Sequence, residues 1–234
     1  MTLPRTKHPD AYYFENLGQD FDRFMSSYDV ERRIRLIFDQ LLHQVPLPEN
    51  PAVLEIGCGT GKISKRLRQI TESLSVNDIS PKLTADVAQR LHCVALAGDC
   101  ANLPAGEETF DLIVSSECIE HTPHPYTALA EMRRVLKKGG WLIITTPNKL
   151  WCPVLWAAQL LKIRKFCGIE TWTWPLKTKK WLRDAEFENI RFSGCHLWPW
   201  QIPLSKRILP CFDRYGEVLY PVMINYGVRA QKKK

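Results

Sequence analysis

The sequence lacks any uninterrupted apolar stretch of about 20 residues, the length that a transmembrane helix requires. Its first ten residues, MTLPRTKHPD, are polar, so we expect no signal peptide. Eight cysteines are present but none form a C-x-x-C pair, which disfavours a zinc site or a disulfide scaffold. We therefore expect a cytoplasmic protein with buried, reduced thiols.

Internal repeats are also lacking, and 234 residues are enough for one sizeable core. From residue 52 to 147, short apolar runs alternate with helical patterns and are separated by turn residues. This alternation predicts a parallel sheet with helices on both faces. The predicted strands are AVLEIG, SLSVNDIS, CVALAGD, TFDLIVSSE and WLIITTP, and the Gly-Gly pair at 139–140 is expected to end the helix before the fifth.

Outside this region, the pattern VERRIRLIFDQLL predicts an N-terminal helix, and the chain after Pro147 changes character. There we expect a helix in KTKKWLRDAEF, an irregular stretch at 197–221, and strands in NIRFSGCH and VMINYGVRAQ. The expected organisation is a single domain in four parts. These are a helical cap at 1–48, a ligand-binding core at 50–148, a Trp-rich basic insertion at 149–185 and C-terminal strands at 186–234.

Charge is distributed unevenly along the chain. The net charge of +7 divides into −3 for residues 1–148 and +10 for residues 149–234, and seven of the eight tryptophans lie in the second part. The insertion contains an apolar run with Trp151 and Trp156, flanked by lysines and an arginine. Such a pattern suits either a membrane interface or a lid helix with a solvated basic rim.

The glycine-rich stretch GCGTG at 57–61 directly follows a predicted strand and precedes a predicted helix. Glycines here leave the backbone bare, so that a ligand can lie near the positive end of the helix. The dinucleotide fingerprint G-x-G-x-x-G is absent, because its third position is Lys62. The spacing is instead G-x-G-x-G, with Glu55 two residues before the first glycine.

At this point LEIGCGTG resembles the first motif of the class I S-adenosylmethionine-dependent methyltransferases. SVNDIS, GDCANLP, TFDLIVSSECIEH and EMRRVLKKGGWLIITTPN resemble four further motifs of that family, in order. The resemblance implies a Rossmann-like, doubly wound, seven-stranded sheet whose last strands form an antiparallel edge pair. It also implies S-adenosylmethionine as cofactor, with the carboxylate of Asp78 on the ribose hydroxyls and Asp99 near the adenine amine. The implied cofactor-binding residues are Glu55, Gly57, Cys58, Gly59, Gly61, Asp78, Ile79, Asp99, Cys100, Ala101 and Glu117.

The stretch after the fourth strand carries the candidate catalytic residues Glu117, Glu120 and His121, since ligands of open sheets bind beyond the carboxyl ends of the strands. His121 is a natural general base for removing the proton of a hydroxyl nucleophile. The E-x-x-E-H spacing is similar to that of ubiquinone-biosynthesis O-methyltransferases, which implies a second role, namely holding a divalent metal. A purely structural role in orienting the loop is the third alternative. Because these three roles remain open, we assign no residue as a metal ligand.

The resemblance favours methylation of an oxygen on a small or lipid-linked acceptor, either quinol-like or a glycolipid. Peripheral contact with the cytoplasmic face of a membrane through residues 149–181 is the partner hypothesis that follows from the insertion. An RNA or protein methyltransferase and a non-catalytic S-adenosylmethionine-binding subunit remain the alternatives. Nucleic acid is disfavoured because the N/D-P-P-Y motif of base-amine methylation is absent.

Overall fold

The computed structural model describes residues 26–160 and 170–234, and these residues build one seven-stranded sheet. The strand order is β3-β2-β1-β4-β5-β7-β6. Strands β1 to β5 are parallel, whereas β7 runs antiparallel to both β5 and β6. The strands are β1 Val53–Ile56, β2 Leu74–Asn77, β3 Val94–Ala95, β4 Phe110–Ser116, β5 Leu136–Pro147, β6 Phe187–Cys195 and β7 Asn225–Lys232.

Eight α-helices and three shorter helical segments connect the strands within the described ranges. A π-helical segment, Leu36–Leu41, continues α1, and 3-10 turns cover Ile119–His121 and Lys149–Trp151. The α-helices are α1 Ser27–Arg35, α2 Lys62–Leu67, α3 Pro81–Leu91, α4 Pro125–Val135, α5 Cys152–Leu160, α6 Pro175–Asp184, α7 Ser205–Asp213 and α8 Gly216–Leu219.

Two apolar layers cover the faces of the sheet, and strand β4 contributes to both. Leu112 and Val114 pack in the layer that includes Leu36 and Ile37, while Ile113 packs in the opposite layer. Successive side chains of a strand point to opposite faces, so a continuous apolar run is what a strand buried on both sides requires. The alternating pattern of strands and helices therefore gave the correct fold class.

Two boundaries differ from the sequence prediction. Helix α4 ends at Val135, and β5 begins at Leu136, before the glycine pair rather than after it. Leu136 already adopts an extended backbone and pairs with Phe110, and Gly139 then takes a φ of +75° where the register between β4 and β5 shifts. The glycines accommodate this irregularity in the strand pairing.

The segment at 197–221 was expected to be irregular, but it contains helices α7 and α8. Pro210 lies inside α7 and has no N–H to donate to the carbonyl of Lys206, four residues earlier. The Tyr28 hydroxyl donates a hydrogen bond to that carbonyl at 3.3 Å. A contact with α1, distant in sequence, thus supports a helix that the local proline content argued against.

The predicted cap is also arranged differently. Helix α6 packs on the sheet, where Leu182 is fully buried, so the second half of the 149–185 insertion belongs to the core. The C-terminal part contributes α7 and α8 besides its two strands. Residues 1–25 of the predicted N-terminal cap and residues 161–169 of the insertion lie outside the described residues.

Neither described range contains a helix long and apolar enough to cross a membrane. The described cysteines are free thiols, namely Cys58, Cys93, Cys100, Cys118, Cys152, Cys195 and Cys211.

Candidate active site

The turn after β1 has a backbone that only glycine adopts readily. Gly57 has a φ of +76°, and a Cβ added there would lie 2.7 Å from the Cβ of Cys118, in the segment after β4. Gly61, with a φ of +83°, precedes the first turn of α2. The glycines therefore allow the turn to pass close to the neighbouring strand end, which leaves space above the carboxyl edge of the sheet.

That space is a cavity of about 390 Å³ at the carboxyl ends of the parallel strands. Eleven of the thirteen residues predicted from the sequence line it, whereas Gly61 and Ala101 do not. The eleven are Glu55, Gly57, Cys58, Gly59, Asp78, Ile79, Asp99, Cys100, Glu117, Glu120 and His121.

Asp78, just beyond the end of β2, is held against the glycine turn. Its Oδ2 accepts a hydrogen bond from the Gly59 N–H at 2.9 Å, and its Oδ1 accepts one from the Ser80 N–H at 3.0 Å. Burial raises the pKa of Asp78 above its usual value, although these two backbone N–H groups favour the ionised form. The carboxylate is thus fixed in orientation before any ligand binds.

Glu55 lies within β1 and is 2% exposed, with its carboxyl accepting a hydrogen bond from the Ser64 hydroxyl of α2. Burial raises its pKa to about 8. Asp99 follows β3 and accepts a hydrogen bond from the Ala101 N–H at 2.8 Å. The Ala101 N–H is therefore already used within this turn, whereas Cys100 lines the cavity.

Glu117 stands at the end of β4 in the left-handed backbone region, with a φ of +50°, which is unusual for a residue other than glycine. Its Oε2 accepts a hydrogen bond from the Asn225 side chain at 2.9 Å, while its buried Oε1 has no hydrogen-bond partner. Burial, together with the nearby Glu120 carboxyl, raises the pKa of Glu117 to about 8. A strained backbone and a partnerless buried oxygen are typical of functional sites.

Glu120 and His121 lie in the 3-10 turn that follows. Glu120 is 2% exposed, accepts a hydrogen bond from the Thr146 hydroxyl at 3.1 Å, and has a pKa that burial raises to about 8. His121 is half-buried and lines the same cavity. In the described part of the chain, no three His, Cys, Asp or Glu side chains are placed to hold one metal ion, so these residues do not fit the metal role.

The fold and this site can be compared with known proteins. Residues 54–144 match the family model of the methyltransferase domain. These residues form a methyltransferase domain of the S-adenosylmethionine-dependent kind. The glycine turn, the acids beside it and the partnerless polar atoms of the cavity suit that cofactor.

Among its relatives, a ubiquinone biosynthesis O-methyltransferase of Xanthomonas oryzae pv. oryzae is 27% identical over 165 residues, 64% of this chain and 67% of the relative. A malonyl-acyl-carrier-protein O-methyltransferase of a Marinomonas species is 29% identical over 143 residues, 57% of this chain and 52% of the relative. A Thermotoga maritima structure, described as a methyltransferase and possible histamine N-methyltransferase, superposes with a TM-score of 0.69 at 21% identity, covering 95% of this chain and 99% of that one.

The methyltransferase also builds its site from residues that the sequence did not single out. Arg33 of α1 lines the cavity, and its guanidinium contacts Asp29 at 2.9 Å while its buried Nε has no hydrogen-bond partner. Burial opposes ionisation of Asp29, but Arg33 and His196 hold its pKa below the usual value. The sequence puts Arg32 and Arg33 side by side and offers no signal that tells which one faces the cavity.

Asn225, Trp172 and Trp200 are three further lining residues that sequence reasoning missed. Asn225 begins β7, and the antiparallel direction of that strand brings its first residue to the carboxyl edge of the others. Trp172 is 7% exposed, and its indole N–H is buried without a hydrogen-bond partner. Trp200 packs on His196 with a ring-centroid distance of 4.7 Å.

Three cysteines, Cys58, Cys100 and Cys118, line the cavity of the methyltransferase. Burial raises the pKa of the Cys58 thiol, and a hydrogen bond to Cys100 together with burial raises that of Cys118. The thiols of Cys58 and Cys118 therefore stay protonated, so they pack as small apolar groups and are poor nucleophiles.

Proposed function

We propose that the protein transfers a methyl group from S-adenosylmethionine to a hydroxyl oxygen of an amphipathic, lipid-linked acceptor that it takes up at a membrane surface. The relatives named as O-methyltransferases support the choice of oxygen. The arrangement of apolar side chains around the cavity supports the choice of acceptor.

The observation that carries the acceptor class is that two segments which contribute residues to the cavity lining also carry exposed apolar side chains. Leu155 of α5 lines the cavity, while its neighbours Val154 and Trp156 are 46% and 68% exposed. Trp200 also lines it, and Ile202 and Leu204, close by in sequence, are 50% and 67% exposed. Of fifteen exposed large apolar residues in the described chain, twelve lie between residues 150 and 222.

These segments contact one another. The Trp151 indole N–H donates a hydrogen bond to the Val222 carbonyl at 3.0 Å, and the Asn148 side chain donates one to the Pro221 carbonyl at 2.9 Å. We call the exposed apolar residues of 150–160 and 202–222 the apolar rim; they are Leu150, Val154, Trp156, Leu160, Ile202, Leu204, Ile208, Tyr215, Val218 and Val222.

Cations accompany the apolar rim. Lys149, Lys206, Arg207 and Arg214 are exposed, whereas Glu217 is the one exposed acid within 149–160 and 198–222. Exposed tryptophan and aliphatic side chains next to lysine and arginine are suited to an anionic lipid interface, where apolar burial and charge attraction act together. An acceptor with an apolar tail could then enter the cavity without crossing water.

In the chemical step, S-adenosylmethionine supplies an electrophilic methyl group. The residues of the protein align the acceptor and exclude water, and positioning of this kind can contribute roughly 7–11 kcal/mol. We assign Glu117 as the general base because it lines the cavity, its Oε1 has no hydrogen-bond partner, and its pKa of about 8 makes it a stronger base than an ordinary carboxylate. The hydroxyl proton passes to Glu117 as the oxygen forms its bond to the methyl carbon, and the carbon–sulfur bond breaks towards sulfur.

Labelled S-adenosylmethionine and fractionated lipid extracts test the reaction. Label is expected in an alkali-stable lipid product with the wild-type protein and not with Asp78→Asn, whose single amide oxygen can accept only one of the two backbone hydrogen bonds. Label in RNA or protein fractions only, or in none, would contradict the proposal.

Liposome sedimentation tests the membrane surface. Trp156→Glu and Leu204→Glu are expected to weaken binding to anionic vesicles about tenfold, since each puts a charge where an apolar contact is lost. Val94→Glu is the matched control, because Val94 is 57% exposed on β3 at the far edge of the sheet. Equal binding by all three variants would rule out the apolar rim as the membrane contact.

A further inference from the structure

The active-site cavity is acidic although the protein as a whole is basic. The chain carries a net charge of +7, yet seven carboxyl groups line the cavity against two cationic side chains, Arg33 and Lys62. The seven are Asp29, Glu55, Asp78, Asp99, Glu117, Glu120 and Glu170. A cavity of this composition favours positive ligands, because a bound cation stabilises the ionised form of these carboxyls and an anion does the opposite.

Three of these acids belong to the cofactor end, where Glu55, Asp78 and Asp99 accept hydrogen bonds from Ser64 or from backbone N–H groups. Asp29 is paired with Arg33 at 2.9 Å. Glu117, Glu120 and Glu170 remain, and Glu170 raises the pKa of Glu120 further. The hydrogen-bond donors that Glu117 and Glu120 contact, Asn225 and Thr146, are uncharged, and Arg33, which lowers the pKa of both, is already paired with Asp29. S-adenosylmethionine has a net charge of only +1. This single positive charge is too small to compensate the carboxylates of Glu117 and Glu120 in addition to the acids at the cofactor end.

The cavity also has aromatic lining residues. Trp172 and Trp200 line it together with Glu117 and Glu120. Indole faces attract cations through their quadrupole, and carboxylates add a full opposite charge, so this combination of side chains recognises ammonium groups. The buried, partnerless Glu117 Oε1 and Trp172 Nε1 indicate that a polar ligand belongs here.

We infer that the acceptor is a hydroxylated amine, whose ammonium group binds between Glu117, Glu120 and the two indoles while a nearby hydroxyl is methylated, and that acceptors with a carboxylate or phosphate at this position are excluded. This inference rests on the proposed function, since it names the polar end of the same lipid-linked acceptor. The basic outer surface meets the anionic membrane, and the acidic cavity selects an amine from it.

The protonation of the two glutamates fits this selection. Burial raises the pKa of both to about 8, so that without a cation each tends to hold its proton. A bound ammonium group stabilises the ionised carboxylates and lowers their pKa. An anionic acceptor would have the opposite effect and would leave Glu117, the proposed base, protonated.

Calorimetry on the full-length protein saturated with S-adenosylhomocysteine tests the inference with three probes that share a phenol ring and differ in charge. Tyramine carries +1, 4-ethylphenol is neutral, and 4-hydroxyphenylacetate carries −1. We expect tyramine to bind about tenfold more tightly than 4-ethylphenol, and 4-hydroxyphenylacetate to bind most weakly. Glu120→Gln, which keeps the side-chain shape, is expected to remove most of the tyramine preference.

Glu72→Gln is the matched control, because Glu72 is exposed and does not line the cavity. It should retain the wild-type order of affinities. The inference would be overturned by equal affinity for the three probes, by tighter binding of 4-hydroxyphenylacetate, or by no binding of tyramine. The proposed function would still stand in each case if the protein binds S-adenosylhomocysteine and transfers methyl groups. Failure to bind S-adenosylhomocysteine would instead count against the proposed function itself.

Discussion

Single residues of this methyltransferase set the protonation of its active site. Glu120 is 2% exposed and Glu117 is half-buried near it, and loss of hydration raises the pKa of each carboxyl to about 8. A general base must be ionised to act, so the rate should rise with pH until the carboxyl has lost its proton. The rising limb of the pH profile of kcat/KM therefore reports ionisation of the base, and variants are needed to identify the residue.

Glu117→Gln removes the proposed base and keeps the hydrogen-bonding shape of the side chain. We expect kcat/KM to fall by roughly 10²- to 10⁴-fold, and the rise of kcat/KM between pH 6 and about 8, which reports the enzyme without bound acceptor, to disappear. His121→Asn should keep that rise. Methyl-transfer assays across the pH range decide between Glu117 and His121 as the general base. If the increase of rate with pH disappeared in His121→Asn and persisted in Glu117→Gln, the base would be His121.

The conformation of a secondary-structure element can depend on residues that are distant in sequence, and the turn between β1 and α2 is one example. Its glycine at position 57 is needed because Cys118, 61 positions later, occupies the space beside it. From the sequence, the G-x-G-x-G spacing predicted the turn and its ligand, because that requirement is local. The contact with Cys118 could not be predicted, because it depends on how closely β1 and β4 pair.

Gly57→Ala is expected to destabilise the protein by about 1–3 kcal/mol and to weaken S-adenosylmethionine binding, through strain at a positive φ and the clash with Cys118. Gly106→Ala serves as the control, because an added Cβ there meets only the Thr109 hydroxyl at 3.4 Å. Urea unfolding and calorimetry measure both effects. Two variants of equal stability and affinity would show that the turn tolerates a side chain.

Helices α1 and α7 are joined by a buried ion pair between Arg32 and Asp213, whose side chains are 8% and 3% exposed. Removing one partner leaves the other charge buried and uncompensated, so Arg32→Met should cost about 3–5 kcal/mol. The double variant Arg32→Met, Asp213→Leu should be more stable than Arg32→Met alone, as measured by urea unfolding. A double variant whose losses simply add would mean that the two charges are not coupled.

At the scale of the whole molecule, ionisation of the buried acids opposes folding. The pKa of Glu55, Glu117 and Glu120 is about 8 in the folded protein and near 4.5 when unfolded. The folded state therefore binds more protons, and its stability is greatest below about pH 4.5 with respect to these groups and is lost as pH rises through 8.

We expect the ligand-free protein to show a lower free energy of unfolding at pH 8.5 than at pH 6, and Glu55→Gln to reduce that difference. Urea unfolding at the two values measures it. Stability that rises with pH in the ligand-free protein would contradict the assignment of raised pKa values.

The whole-molecule arrangement could be predicted only in part. The alternating strands and helices and the ordered motifs were enough for the sheet and for the cofactor end of the cavity, because their residues follow strand ends directly. Arg33, Trp172, Trp200 and Asn225 come from α1, the insertion, the α7 side and β7. They meet at the cavity through long-range packing, which periodicity and spacing do not encode.

The position of β7 has a consequence for how the chain is made. Strand β6 leaves the ribosome first, but its ladder partner is β7, which is synthesised about 30 residues later and must insert between β5 and β6. Until β7 has been synthesised, the backbone N–H and C=O groups at the edge of β6 have no partner strand. The nascent chain can therefore form incorrect strand pairs during this time. The rate of translation through residues 196–224 thus sets how long β6 remains without its partner strand.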